Sequence, residues 1–184
     1  MPVQYWSSQI NPINSANLPA AVAYNTSITL TDVSPGAASN AAVIIPANSL
    51  QVGSTIRVTA HGTFSNTGTP TLLLGVYYGA VAGTKLAATG ATTTTTAATN
   101  WPFRLEYTGT VRSVGTSGTI MGGGVVYLAT SLTTYAMVPI DAAAAATVTI
   151  DTTAAKALTL GAQWGTSSAS NTLTVTNFIV ESLS

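Results

Sequence analysis

From residue 27 onward, apolar and polar residues alternate with a period of two, the pattern of half-buried β-strands. The clearest example is segment 55–64, in which Ile56 and Val58 fall on one face and Arg57 and Thr59 on the other. The same alternation predicts strands at 27–33, 41–45, 55–64, 72–78, 103–112, 119–129, 134–138, 146–150, 156–164 and 172–183. Most of the chain is therefore expected to be β-structure.

The last predicted strand changes phase along its length. Leu173 and Val175 alternate at odd positions, whereas Phe178 and Val180 alternate at even positions. An extra residue in one strand of an antiparallel pair produces such a shift. We therefore expect a β-bulge near Asn177.

Turn-forming residues separate the predicted strands, and no segment has a convincing helical stripe. The short run Ala142 to Ala146 is interpreted as a loop or the start of a strand, and Thr92 to Thr96 as an edge strand or a mobile loop. The absence of helical connections excludes a parallel α/β sheet. The turn signals are Ser34-Pro35-Gly36, Pro46-Ala47-Asn48, Gly68-Thr69-Pro70, Gly115-Thr116-Ser117-Gly118 and Ser168-Ala169-Ser170-Asn171. The expected fold is all-β, an antiparallel, jelly-roll-like β-sandwich over residues 27–184.

Residues 1–26 have no periodicity and are rich in proline and asparagine. They lack the basic and apolar regions of a secretory signal. Tyr5 and Trp6 are large side chains that this segment cannot easily bury by itself. We therefore expect an extended N-terminal arm that docks on a partner through Tyr5 and Trp6, with a disordered leader as the alternative.

Charged residues are scarce, since 184 residues include 5 Lys+Arg, 5 Asp+Glu and one His, with no net charge. Soluble monomers usually carry far more charge on their surfaces, and few lysines are available here to guard strand edges. The chain has no cysteine, so disulfides and thiolate chemistry are excluded. These features predict a chain that buries its apolar surfaces between copies, and we expect a homotrimer.

The same composition argues against two kinds of partner. Five scattered cations do not form the basic patch that nucleic-acid binding requires. Threonine and glycine interrupt every apolar stretch before it reaches the length of a membrane helix. We therefore expect neither nucleic acid nor membrane as a partner.

Catalytic chemistry has few candidate residues. His61 is the only possible histidine base, and it lies mid-strand on a polar face, so it is interpreted as a surface or interface residue. Asp141 and Asp151 bracket one strand and could contribute to a calcium site, but turn capping is the preferred interpretation. Gly122–Gly124 lacks the lysine of a phosphate loop and indicates a bulge or a close backbone approach. We expect no enzymatic activity, no cofactor and no bound metal.

Aromatic residues could instead form a platform for sugars. Because Trp101 begins a predicted strand and Trp164 ends one, packing in the core or between subunits is preferred over a glycan platform. The aromatic candidates are Trp101, Trp164, Tyr77, Tyr78, Tyr127 and Tyr135.

Several short strings of turn and strand residues run through the chain after residue 40. They are Ile45-Pro46-Ala47-Asn48-Ser49-Leu50 with Gly53 and Arg57, Gly68-Thr69-Pro70-Thr71-Leu72, Thr110-Val111-Arg112-Ser113-Val114-Gly115 with Arg104, Asp151-Thr152-Thr153, Gln163-Trp164-Gly165, and Ser170-Asn171-Thr172 to Asn177-Phe178. Together they resemble the β-sandwich proteins on the virions of tailed bacteriophages, which include capsid decoration proteins, head fibres and some minor tail proteins. The arm is not part of this resemblance.

The resemblance implies a non-enzymatic structural protein of the virion. The favoured interpretation is a capsid decoration protein that binds the major capsid protein on the outer surface of a phage head and stabilises it, as a homotrimer. The main alternative is a tail-fibre or minor tail protein module that binds a receptor or glycan, and the third is a secreted carbohydrate-binding domain. Copy number per particle would separate the first two.

Overall fold

The computed structural model describes residues 28–34, 43–81, 83–141 and 146–183, and every regular element within these ranges is a β-strand. Two predicted strands, 156–164 and 172–183, have the bounds expected from the alternation of their residues. The strands are β1 (Thr31–Asp32), β2 (Val43–Ile45), β3 (Thr55–Ser65), β4 (Thr71–Tyr78), β5 (Thr84–Ala88), β6 (Thr92–Thr93), β7 (Trp101–Ser113), β8 (Gly118–Ala129), β9 (Tyr135–Asp141), β10 (Val148–Ile150), β11 (Lys156–Trp164) and β12 (Thr172–Leu183).

The strands pair antiparallel throughout and form two layers. In the first sheet, the order is β12-β3-β7-β8, and β9 and β10 share the remaining edge of β8. In the second sheet, β11 pairs with β4, while β1 and β2 lie along β11 and β5 and β6 lie along β4. One residue pair, Ala88 with Asp141, joins β5 to β9 and makes the two layers a single curled sheet. The predicted all-β antiparallel fold is confirmed.

The inner faces of the two layers form one hydrophobic core. Trp164 is among the largest fully buried side chains, as predicted for core packing, and Trp101 is half-buried against the same core. Removing an aromatic side chain of this kind typically costs about 3–5 kcal/mol. The other large, fully buried side chains are Tyr107, Phe64, Phe103, Phe178, Ile56, Leu72, Leu74, Leu86, Leu105, Ile120 and Ile140.

The bulge predicted near Asn177 is confirmed. The register of β12 against β3 shifts between Val175 and Asn177, which leaves Thr176 without a paired residue on β3. The Thr176 hydroxyl donates a hydrogen bond to the carbonyl of His61, 3.1 Å away. Because one residue is added, Val175 and Phe178 both face the core although their spacing is odd.

The triple glycine in β8 is explained by close approach rather than by a bulge. Gly122–Gly124 keep continuous register with β7. A Cβ at Gly124 would overlap the carbonyl oxygen of Glu106, and one at Gly122 would lie 2.5 Å from the Cα of Gly109. Of the two predicted alternatives, the close backbone approach is confirmed.

The threonine-rich segment from Thr92 forms a short edge strand, one of its two predicted alternatives. β6 pairs with the start of β4. Thr94 is buried, and its hydroxyl donates to the carbonyl of Pro70 at 2.7 Å. The side-chain amide of Asn66 donates to Thr94 Oγ1 at 3.0 Å, so buried hydrogen bonds fix this loop against the sandwich.

Two of the expectations fall wholly or mostly outside the described residues. The N-terminal arm, with Tyr5 and Trp6, lies outside them, and so does most of the Ala142 to Ala146 run.

In the part of the chain that is described, no helix is long and apolar enough to cross a membrane.

Candidate functional site

The arginines and glutamates of the chain lie on one surface, the outward face of the first sheet. Alternation along β3 and β7 places Ile56 and Leu105 in the core and turns Arg57, Arg104 and Glu106 outward. Every arginine and both glutamates of the chain lie on this face, namely Arg57, Arg104, Arg112, Glu106 and Glu181. The second sheet carries fewer charges on its outward face, where Lys85 pairs with Tyr77 and Asp32 with Gly161.

The second sheet has a contrasting outward face. In its central strands, the outward residues from Ala157 to Gln163 and from Thr71 to Tyr77 are uncharged. Tyr77 is almost fully buried there, and a Cβ at Gly161 would lie 2.6 Å from its ring. Thr159 is also buried, and the same Cβ would lie 3.2 Å from Leu30, so the chain itself covers the centre of this face. Ile44 on the neighbouring β2 is 53% exposed, so an apolar side chain borders the uncharged surface.

Strand register brings one row of side chains together across five strands of the first sheet. Asn177 pairs with His61, His61 with Arg104, Arg104 with Tyr127, and Tyr127 with Met137. Directly paired residues on one face of a sheet lie within contact distance. A histidine, an arginine and a tyrosine from three strands are therefore neighbours.

A groove of about 390 Å³ opens at the centre of this row. Tyr135 is 50% exposed at its side, whereas Tyr127 is half-buried. The groove is lined by His61, Pro102, Phe103, Arg104, Glu106, Tyr127 and Tyr135. We call these seven residues the sheet groove. Its combination of aromatic surface and a few convergent polar groups is typical of small-molecule sites.

The charges in the sheet groove are compensated. Arg104 forms an ion pair with Glu106, two residues along β7, and both side chains are partly exposed. On the same face, Arg57 forms an ion pair with Glu181 across β3 and β12 at 3.5 Å. Exposed ion pairs of this kind contribute little to stability. Their main consequence is a groove that presents both donors and acceptors without excess charge.

His61 lines the sheet groove with an unsatisfied nitrogen. Its Nε2 atom is buried and has no hydrogen-bond partner among the described residues. The structure places His61 on the outward face of β3, in register with Arg104, as expected for a surface or interface histidine. A buried polar atom without a partner costs free energy, which a bound hydroxyl in the groove would recover.

Exposed apolar side chains border the sheet groove. Met137 on β9 is 68% exposed, and Leu132 in the preceding turn is more exposed still. From Tyr135 to Ile140, the second edge of β9 has no strand partner among the described residues. The groove therefore opens beside an unpaired strand edge.

The two aspartates considered for calcium have different roles. Asp151 accepts hydrogen bonds from the hydroxyl of Thr153 at 2.6 Å and from its backbone N–H at 2.9 Å. These bonds, the hydroxyl's first, lower the pKa of Asp151. The predicted turn capping is confirmed for Asp151, while Asp141 ends β9 beside Gly123. Within the described ranges, no three histidine, aspartate or glutamate residues are placed to hold a metal ion.

The aromatic candidates divide between buried packing positions and the groove. Trp164, Tyr77 and Tyr78 are buried, which confirms packing for these three. Tyr127 and Tyr135 instead line the sheet groove. Sequence reasoning named both tyrosines but not their partners, because only the register of β7 with its neighbours brings Arg104 to Tyr127.

No protein-family model matches this chain, and no curated protein and no solved structure matches it. The resemblance to phage virion proteins therefore stays a prediction.

Proposed function

We propose that this chain is a non-enzymatic structural protein of a phage virion, a decoration protein that binds the major capsid protein on the outer surface of the head as a homotrimer. The observation that supports it most is the contrast between the two outward faces. One bears the arginines and glutamates, whereas the central strands of the other carry no charged residue on that side and Ile44 is exposed at its margin. A protein fixed to a larger surface needs one face for attachment and another for solvent.

In this proposal, the exposed margin of the outward face of the second sheet, around Ile44, makes the contacts with neighbouring copies and the capsid. Apolar, uncharged surface is buried at little electrostatic cost, and exposed apolar residues on a sheet edge mark interaction sites. Ile44 and Leu73 lie on this face, on β2 and β4. Because the chain has no net charge, copies do not repel one another. Many modest interfaces, repeated by symmetry, stabilise the particle together.

Oligomeric state gives the first test of this proposal. Light scattering over about a hundredfold dilution should show a trimer of the full chain. Ile44→Asp should weaken the trimer and the binding to phage heads, because it places a charge on the attachment face. The matched control is Val114→Asp, which changes a side chain of similar exposure, 49%, in the β7–β8 turn. A monomer at every concentration, or equal effects of both variants, contradicts the proposal.

A second candidate function is a receptor-binding module of a tail fibre or minor tail protein. The sheet groove favours it, since tyrosines beside hydrogen-bonding groups suit a receptor glycan. Imaging of labelled virions separates the two candidates. Density over the whole head indicates decoration, whereas density at the tail alone indicates the tail module.

A further inference from the structure

We propose that the sheet groove is a binding site for a neutral saccharide, with a hexopyranose ring as the unit it holds. The site lies on the outward face of the first sheet, opposite to the face assigned to attachment. It therefore stays open whether the protein decorates the head or belongs to the tail.

The size and the aromatic residues of the groove fit a sugar ring. Its volume of about 390 Å³ lies at the small end of the range for ligand sites. Tyr135 and Tyr127 border it from β9 and β8. Each tyrosine offers an apolar ring face against which the C–H face of a pyranose packs, and a hydroxyl for hydrogen bonding. Because Tyr135 is half exposed, its ring is available to a ligand without unfolding any element.

The polar residues of the groove fit sugar hydroxyls. Arg104 has five N–H donors, more than its single ion pair with Glu106 uses. Glu106 keeps lone pairs that accept from a hydroxyl. Each sugar hydroxyl both donates and accepts, so a pair of adjacent hydroxyls can bridge a guanidinium and a carboxylate that lie side by side. His61 Nε2 is buried and lacks a partner among the described residues, so a ligand hydroxyl reaches it only when the imidazole ring turns toward the groove.

Charge balance selects a neutral ligand. Glu106 already compensates Arg104, and Glu181 compensates Arg57 on the same face. An anionic sugar would have to displace Glu106 from Arg104 or lie beside its carboxylate, and like-charge contacts of this kind disfavour binding. A neutral sugar keeps the ion pair intact and adds hydrogen bonds to it. Acidic sugars are therefore expected to bind more weakly than neutral ones.

The test uses the full chain and a panel of defined probes. The neutral probes are the methyl pyranosides of glucose, galactose, mannose and N-acetylglucosamine, and the acidic probes are N-acetylneuraminic acid and glucuronic acid. Binding is followed by NMR titration of the backbone amides. At least one neutral probe should shift amides of β3, β7 and β8 around the groove, with a dissociation constant of about 1 mM.

Matched variants locate the site. Tyr135→Ala and Arg104→Ala should each reduce affinity by about tenfold. Tyr135→Phe should keep most of it because the ring face remains. Met137→Ala is the control, since Met137 is exposed on the same strand but does not line the groove. The groove variants should leave binding to phage heads unchanged, so failure of this inference is distinct from failure of the decoration proposal.

Three outcomes would overturn the assignment. They are no amide shift with any neutral probe, shifts confined to residues away from the groove, and tighter binding of the acidic probes than of the neutral ones.

Discussion

Tyr107 occupies, on the inner face of β7, the space in which a side chain at Gly109 would lie. A Cβ at Gly109 would overlap the tyrosine hydroxyl, and one at Gly122 on β8 would lie 2.7 Å from the same oxygen. The hydroxyl is buried and has no hydrogen-bond partner within the described ranges. Gly109 and Gly122, on adjacent strands, thus leave space for the Tyr107 side chain, but its hydroxyl has no hydrogen-bond partner within the described ranges.

The variant Tyr107→Phe should stabilise the protein. It removes an unsatisfied buried hydroxyl, whose desolvation typically costs about 1–3 kcal/mol, and keeps the ring. Burial also raises the pKa of Tyr107 above its ordinary value, so the parent's free energy of unfolding falls as pH rises through the ordinary tyrosine pKa, where only the unfolded chain ionises. Denaturant unfolding should show a higher free energy of unfolding at pH 7 and a smaller loss above pH 10 than in the parent. A lower value at pH 7 would indicate a hidden partner for the hydroxyl.

Gly109→Ala should destabilise the sandwich by about 1–3 kcal/mol, because the added methyl group overpacks the core. Combining it with Tyr107→Phe should restore part of this loss, since the nearest obstacle to the new Cβ is the hydroxyl oxygen. Gly122→Ala is the comparison, because its Cβ would also lie 2.5 Å from the backbone oxygen of Thr108, which no side-chain change removes. Thermal unfolding of the single and double variants measures the difference. If Tyr107→Phe restored the same stability to both glycine variants, the hydroxyl would not be the specific obstacle at Gly109.

Asn66→Ala should cost about 2–3 kcal/mol of unfolding free energy. The buried amide donates to Thr94 and its oxygen accepts from the backbone N–H of Ala98, so its removal leaves buried groups without partners. Thr96→Ala is a suitable control, because its hydroxyl makes an exposed bond of 3.3 Å to Thr67. Similar losses of unfolding free energy in both variants would show that burial of the Asn66 amide does not increase the cost of removing it.

Thr153→Ala should raise the pKa of Asp151 toward the ordinary carboxyl value. The Thr153 hydroxyl makes the largest contribution to lowering that pKa, while the backbone N–H bond persists in the variant. A lowered pKa stabilises the fold above the carboxyl's ordinary pKa, and this effect disappears as the pH falls through the lowered value. Carboxyl NMR titration of both proteins is the direct measurement. An unchanged pKa would show that the backbone bond and Lys156, rather than the Thr153 hydroxyl, lower the pKa of Asp151.

Replacing Tyr5 and Trp6 by alanine in the full chain should weaken attachment to phage heads. Large aromatic anchors typically contribute about 2 kcal/mol or more each when truncated at an interface. Co-sedimentation with heads measures the change, and Val52→Ala provides a control at an exposed apolar residue in the sandwich. Normal occupancy of the double variant would show that the sandwich itself carries the binding surface.

Alternation was sufficient to predict β11 and β12, because their apolar residues mark the strands from end to end. It missed β5, where Leu86 and Ala87 are both buried in succession and no period of two is visible. Val76 pairs with Ala87 and Tyr77 with Lys85, so Leu86 is an extra residue in β5. This bulge lies in β5 itself and interrupts the alternation that would have marked the strand.

The sheet groove was predictable only in part. Alternation placed His61 and Arg104 on outward faces of their strands, but their adjacency depends on the pairing of β3 with β7. Tyr127 reaches them through the pairing of β7 with β8, and Tyr135 through the pairing of β8 with β9. Such long-range pairings depend on the packing of the whole core, which a local pattern does not encode.

The pairing of β3 with β12 sets the order in which the chain can fold. Arg57 and Glu181, which meet across these strands, are 124 residues apart in the sequence. During synthesis, one edge of β3 has no strand to pair with until β12 has been made. Closing so long a loop makes folding slow. Newly made copies consequently expose a strand edge to one another. Expression at low temperature and low synthesis rate should therefore increase the yield of soluble protein.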